Sequence, residues 1–246
     1  MINKLISPFF KNNKAFIVAY DHGANKNPDV FKYQSQNPKY IFELAKNIQA
    51  TGIILNKGVA EMYNQSIPLI IKLDAKSENT QKPILTCSVD YAKKLGAKAI
   101  GYTINFGSEY ESEQIKIFSE LVEKAHSLNM GVIVWVYTVD SSWHTIFDFK
   151  KLCFALRQVY EIGADLAKIS LLEEDMKKFG LIKTVVPNLP IAIRGGEELD
   201  DEDLINKINN LTKQNIDGLI IGRNLWQKEH ATEIGKKIHS IIFKNI

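Results

Sequence analysis

Lys168 is the residue whose type and place most need a chemical reason. It lies within residues 163–170 (GADLAKIS), which read as a short strand entered from a helix through Gly163. Side chains alternate across a strand, so Leu166, Lys168 and Ser170 share one face and Asp165, Ala167 and Ile169 the other. Burying an ammonium among small and apolar neighbours is costly unless it is paired or loses its proton. One reading is a structural ion pair inside a barrel. The other is a lysine kept partly neutral, whose amine attacks a carbonyl and forms a Schiff base.

Other reactive groups stand at the ends of similar runs. Tyr137 closes residues 131–137 (GVIVWVY), on one face with Ile133 and Trp135. A tyrosine there can donate and accept protons around a reacting carbon or oxygen, or simply cap the core. Asp21 and His22 follow residues 15–20 (AFIVAY). Asp21 reads as a general base or an orienting anion for Lys168, or as a counter-ion to Lys57, Lys72 or Lys168. His22 reads as a bridge to the loop that follows. Asn56, Asp74 and Asn105 end further runs. Gly195-Gly196 follow residues 190–194 (PIAIR), and Gly222-Arg223 follow residues 217–221. Glycine lets backbone N–H groups approach an anion, and a short helix over residues 224–227 would add its dipole. Two such loops side by side favour phosphate binding over ordinary turns, with Arg223 as a charge clamp.

The elements that must position these residues recur regularly. Strands are expected over residues 15–20, 52–55, 69–73, 97–104, 131–137, 165–169, 190–194 and 217–221. Helices are expected over residues 40–50, 88–96, 149–162, 173–179, 200–214 and 230–243. A long amphipathic helix should follow Ser108, burying Ile115, Phe118, Leu121, Val122 and Ala125. Ser88 and Ser108 read as N-caps. Phe9 and Phe10 read as a plug or short helix. Residues 24–39 form a polar loop long enough to be functional, and residues 74–82 form another. Strict alternation predicts parallel βαβ units with right-handed crossovers. Eight units in 246 residues predict a closed α/β architecture, a single (β/α)8 TIM barrel occupying residues 1–246 as one domain. In such a barrel the strand ends named above converge on one site.

Bulk composition narrows the class. Hydrophobic residues make up 45% of the chain, enough for a large core, and the net charge of +3 is spread without a basic block. That argues against nucleic acid as a partner. Cys87 and Cys153 are far apart and read as buried thiols in a reducing compartment. The five histidines show no metal-ligand spacing, so a zinc site is not expected. No signal peptide or membrane span is apparent. A cytoplasmic protein is expected.

Six segments together resemble the archaeal-type class I fructose-bisphosphate aldolases: AYDHG at 19–23, GSEYE at 107–111, VWVY at 134–137, GADLAK at 163–168, GG at 195–196 and GRNLWQ at 222–227. A wider group includes an amino-dideoxy-heptulosonate synthase and a thiolase acting on a phosphorylated dione. The resemblance implies a (β/α)8 barrel with Lys168 as the Schiff-base lysine, Tyr137 as the proton-transfer residue and Asp21 near the reacting carbons. It implies a phosphorylated sugar held by Gly195, Gly196, Gly222 and Arg223, no metal or other cofactor, and a homo-oligomer, commonly a decamer. The chain departs from the pattern at Lys26-Asn27-Pro28, at Thr138-Val139-Asp140 (where Pro-Arg-Gly is usual) and at Arg194 (where a small residue is usual). Arg194 would then return a positive charge to the substrate from another direction. Fructose 1,6-bisphosphate is the expected substrate. Another sugar phosphate, handled by a related aldolase or transaldolase, and a non-catalytic phosphosugar-binding barrel are the alternatives.

Overall fold

The computed structural model describes residues 2–24, 30–63, 66–76, 82–196 and 198–243. Its barrel strands are β1 (Ala15–Tyr20), β2 (Gly52–Leu55), β3 (Leu69–Lys72), β4 (Ala99–Phe106), β5 (Gly131–Thr138), β6 (Leu166–Ile169), β7 (Ile191–Arg194) and β8 (Gly218–Ile221). Each pairs in parallel with its sequence neighbours, and β1 closes the ring on β8. The expected TIM barrel is therefore present. These strands are rich in Ile, Val and Ala because both faces are buried, one toward the barrel axis and one toward the helices. β2 and β8, for instance, are buried at every position.

Nine α-helical segments among the described residues surround or cap the strands. They are α1 (Pro38–Asn47), α2 (Lys57–Ala60), α3 (Val89–Lys94), α4 (Glu111–Ser127), α5 (Phe149–Ile162), α6 (Phe179–Val185), α7 (Asp201–Lys213), α8 (Arg223–Trp226) and α9 (Ala231–Phe243). Ser88 accepts from Tyr91 N–H, as the sequence reading expects, and Gly163 ends α5 at φ 110°. Asp200 also caps α7, its side chain accepting from Asp203 N–H. Ser108 does not cap α4. A turn from Ser108 to Glu111 delays the helix, so the N-cap position falls on Tyr110. Ser108 Oγ has no hydrogen-bond partner, and the Glu111 carboxylate instead accepts from Gly107 N–H at 2.6 Å. Ile115 is only partly buried, while Gln114 is buried and its Oε1 accepts from Asn105 N–H. The loop expected over 74–82 holds an antiparallel ribbon, Asp74–Ala75 against Ile84–Leu85. In the expected loop over 24–39, residues 25–29 lie outside the described residues, Lys26-Asn27-Pro28 among them, and Tyr33–Gln36 form a 3-10 turn.

Inside the barrel, side chains are layered as expected for this architecture. Ile6 and Phe9, the latter ending a 3-10 turn, close the N-terminal end, so the plug reading holds for Phe9. Gly52 and Gly131 leave them room, since a Cβ at either would stand 2.7 Å from Phe9 or Ile6 carbon atoms. Above lie Ile17, Ile54, Ile70, Ile133, Leu166 and Ile220. The upper apolar layer is dominated by Trp135. Its indole crosses toward β4, where a Cβ on Gly101 would come within 2.3 Å of two ring carbons. Gly101→Ala is therefore expected to lower the unfolding free energy by about 1–3 kcal/mol, because the ring must shift in a packed interior. Urea denaturation would measure it.

Candidate active site

A cavity of about 240 Å³ opens at the C-terminal ends of the strands. Asp21, His22, Tyr137, Lys168, Arg194, Gly195, Gly196, Gly222 and Arg223 all line it. Nine residues drawn from five separate stretches of sequence thus meet in one place, because parallel strands of similar length end at a common level.

Lys168 occupies the inward face of β6, in register with Trp135 on β5 and Ala192 on β7. It is 8% exposed, and its Nζ lies 5.0 Å from the Trp135 ring centroid. Burial lowers its pKa to about 8; the Asp21 carboxylate opposes that change, while the Arg194 and Lys72 charges add to it. The buried lysine anticipated from the sequence is thus partly neutral near physiological pH, the state in which an amine is nucleophilic.

Asp21 is also buried. Burial alone would raise its carboxyl, but the His22, Lys168 and Lys72 charges outweigh that and hold it below the usual value. Of the three lysines considered as its counter-ions, Lys57 stands apart: it is exposed, at the start of α2. His22 Nδ1 lies 3.5 Å from Asp21 Oδ1, and its ring meets Trp226 edge-on at 5.4 Å. Tyr137, one layer above Trp135 on β5, is raised by burial and by the Asp21 charge, with Arg194 pulling the other way. Its phenol therefore keeps its proton at neutral pH.

The two glycine loops are tied together by Asn224. Its Nδ2 donates to the Gly195 carbonyl at 3.0 Å, and its Oδ1 accepts from Leu199 N–H at 2.8 Å. Gly195 N–H itself donates to the Ile220 carbonyl at 3.2 Å and is so engaged, while Gly196 follows in the left-handed region at φ 84°. Gly222 is the N-cap of α8, and a Cβ there would stand 2.6 Å from His22 Cε1. Trp226 Nε1 donates to the Ala19 carbonyl at 2.8 Å and so locks α8 onto β1.

A second buried lysine was not assigned to the site from sequence. Lys72 ends β3, pairs with Asp74, donates to Thr103 Oγ1 at 2.7 Å, and lies 5.0 Å from the Trp135 centroid. Trp135 thus packs against two cavity-lining lysines, Lys72, which is paired with Asp74, and Lys168. The period-two pattern placed Trp135 on the Tyr137 face, but only the gap at Gly101 shows how far the indole reaches. Among the described residues no three His, Cys, Asp or Glu side chains gather as metal ligands. Cys87 and Cys153 are unbridged, the first buried and the second half-buried, and neither lines the cavity.

Fold and cavity define a (β/α)8 barrel with a buried lysine lining the cavity at its strand ends. The chain belongs to the DeoC/LacD family of aldolases, whose model matches residues 15–228, and is thus a carbon–carbon lyase. It is 29% identical to the fructose-bisphosphate aldolase class 1 of Thermoproteus tenax, over 99% of this chain and 95% of that one. It is 26% identical to 2-amino-3,7-dideoxy-D-threo-hept-6-ulosonate synthase 1 of Archaeoglobus fulgidus, over 98% of this chain and 90% of that one. Among solved structures it is similar to an archaeal fructose-1,6-bisphosphate aldolase with the catalytic Lys covalently bound to the carbinolamine intermediate of the substrate. There the identity is 27%, the TM-score 0.88, and the coverage 97% of this chain and 98% of that one.

Proposed function

We propose that the chain is a class I aldolase that reversibly cleaves fructose 1,6-bisphosphate to dihydroxyacetone phosphate and glyceraldehyde 3-phosphate, in glycolysis or gluconeogenesis. The observation that carries this is Lys168, buried at the cavity floor with its pKa lowered to about 8, beside Tyr137 and Asp21. The neutral amine attacks the ketone carbon to give a carbinolamine. Tyr137 gives its proton to the departing hydroxyl, water leaves, and an iminium remains. A proton then leaves the hydroxyl on the far side of the scissile bond, toward the Tyr137 oxygen. The carbon–carbon bond breaks, its electron pair moves to the iminium, and the aldehyde departs. The resulting enamine is protonated and hydrolysed to free the ketone and Lys168. Asp21 balances the charge that Lys168 gains. Gly196, Gly222 and Arg223, with Gly195 shaping the loop and His22 packed behind Gly222, hold the ketone-half phosphate. Holding it makes the attack effectively intramolecular.

The pH dependence follows from Lys168. Its reactive form is neutral, so kcat/KM should rise with pH through about 8 and then level off. A profile already flat from pH 6 upward would contradict the assignment.

One observation favours another sugar phosphate as substrate. Val139 lines the cavity two residues after Tyr137, where the resembling aldolases carry arginine, and Lys76, four residues beyond Lys72, is a further cation of the lining. Comparing kcat/KM for fructose 1,6-bisphosphate with that for a panel of sugar monophosphates decides between the two. The bisphosphate should lead, and a monophosphate at least about tenfold better would install the second reading.

We further read the chain as one domain, acting in the cytoplasm as an oligomer. Among the described residues no helix is long and apolar enough to cross a membrane. Phe154 on α5 and Leu181 on α6, 63% and 57% exposed, suit burial against another copy. Light scattering on the purified protein would test the oligomer.

A further inference from the structure

Arg194 is the cation in the cavity with the most unusual surroundings. It ends β7, in register with Ile220 on β8 and one inward position above Ala192, which pairs with Lys168. Its Cζ lies 5.6 Å from the Tyr137 ring centroid, close enough for its charge to act on the phenol. Its Nε is buried and has no hydrogen-bond partner. Leaving a buried charged donor unmatched is unfavourable, so this N–H calls for an acceptor brought by a ligand.

The acceptor is not a carboxylate of the cavity wall. Asp74 is engaged by Lys72 and by Thr103 N–H, and Asp21 sits against His22. Among the described residues no ion pair includes Arg194. The lining contains five cations, Lys72, Lys76, Lys168, Arg194 and Arg223, against these two carboxylates. This excess of positive charge favours an anion as the acceptor. Gly195-Gly196 directly follow Arg194, so an anion resting on that loop lies within reach of the guanidinium fork, which suits two oxygens of one phosphate.

We propose that Arg194 is a positioning residue that couples substrate charge to proton transfer. Its Nε side takes an anionic oxygen of the ketone half, a phosphate oxygen, while its guanidinium holds the Tyr137 hydroxyl over the carbons next to Lys168. A ketone lacking that anion leaves the guanidinium unanchored and the phenol misaligned. This inference rests on the Schiff-base reading above.

The test uses full-length wild-type protein and the variants Arg194→Gln, Arg194→Lys, Tyr137→Phe and Arg194→Gln/Tyr137→Phe. Dihydroxyacetone phosphate and uncharged dihydroxyacetone are each trapped with borohydride, and the cleavage kinetics are measured alongside. Wild type should label Lys168 with the phosphate ester in strong preference to dihydroxyacetone. Arg194→Gln should cut that preference at least about tenfold, and Arg194→Lys should recover part of it, keeping the charge but not the fork. Arg194→Gln should lower kcat roughly 10- to 100-fold when Tyr137 is present. In the Tyr137→Phe background it should lower kcat by no more than about threefold, because the two act as a unit. An unchanged preference, or effects on kcat that multiply independently, would overturn the inference while leaving the Schiff base intact. Should Arg194→Gln not fold, Arg194→Lys decides: full wild-type preference and kcat would overturn the inference. No adduct in the wild type with either ketone would overturn the Schiff-base reading and this inference with it.

Discussion

Lys168→Met should abolish cleavage, with kcat at least about 10⁴-fold below wild type. Methionine, one heavy atom shorter, keeps most of the length and volume of lysine but has no amine to attack a carbonyl. Loss of chemistry can be told from loss of fold by a stability measurement whose sign is fixed in advance. The Lys168 pKa is about 8 in the folded chain against 10.5 for an unperturbed lysine. A lysine whose folded-state value is lowered makes the charged folded form unfavourable. The penalty is full below about pH 8 and disappears as pH rises past the unfolded value. A displacement of this size corresponds to roughly 3 kcal/mol. Removing the ammonium at pH 7 should therefore leave Tm unchanged or higher, despite the lost contact with Trp135. A variant that is inactive and also much less stable would point to a structural lysine instead.

Tyr137→Phe should reduce kcat by about 10²- to 10⁴-fold, the range for removing a positioned acid or base, with little change in KM. The phenol is raised by burial, so it begins the cycle protonated and acts first as a donor. Without it, collapse of the carbinolamine and removal of the hydroxyl proton both slow. Covalent species on Lys168 should accumulate during turnover, visible by intact-protein mass spectrometry after an acid quench. A drop in affinity with kcat preserved would instead make Tyr137 a binding group.

Much of the site was legible because barrel geometry turns sequence position into spatial position. Once eight strands alternate with helices, Asp21, Tyr137, Lys168, Arg194, Gly195 and Gly222 fall at strand ends, and the closed ring brings them to one cavity. Period two placed Tyr137 and Trp135 on one face. What stayed hidden depends on how far a side chain reaches. The Trp135 ring centroid lies 5.0 Å from Nζ of both Lys72 and Lys168, and Gly101, 34 positions earlier, leaves room for the ring. Lys72 read as one of three possible partners for Asp21, yet its closest anion is Asp74, two positions along its own chain. The Ser108 cap failed because a turn displaced the helix start, which sequence spacing does not register. Gly195 and Gly196 looked equivalent as a pair. The N–H of the first is taken by the Ile220 carbonyl, and the second turns into the left-handed region at φ 84°.

The most direct measurement is borohydride reduction of the protein with dihydroxyacetone phosphate, followed by peptide mapping. One reduced adduct per chain, located on Lys168 and absent from Lys168→Met, is the predicted result. No adduct under turnover conditions, or an adduct on Lys72 with Lys168 unmodified, would contradict the assignment of Lys168 as the Schiff-base nucleophile.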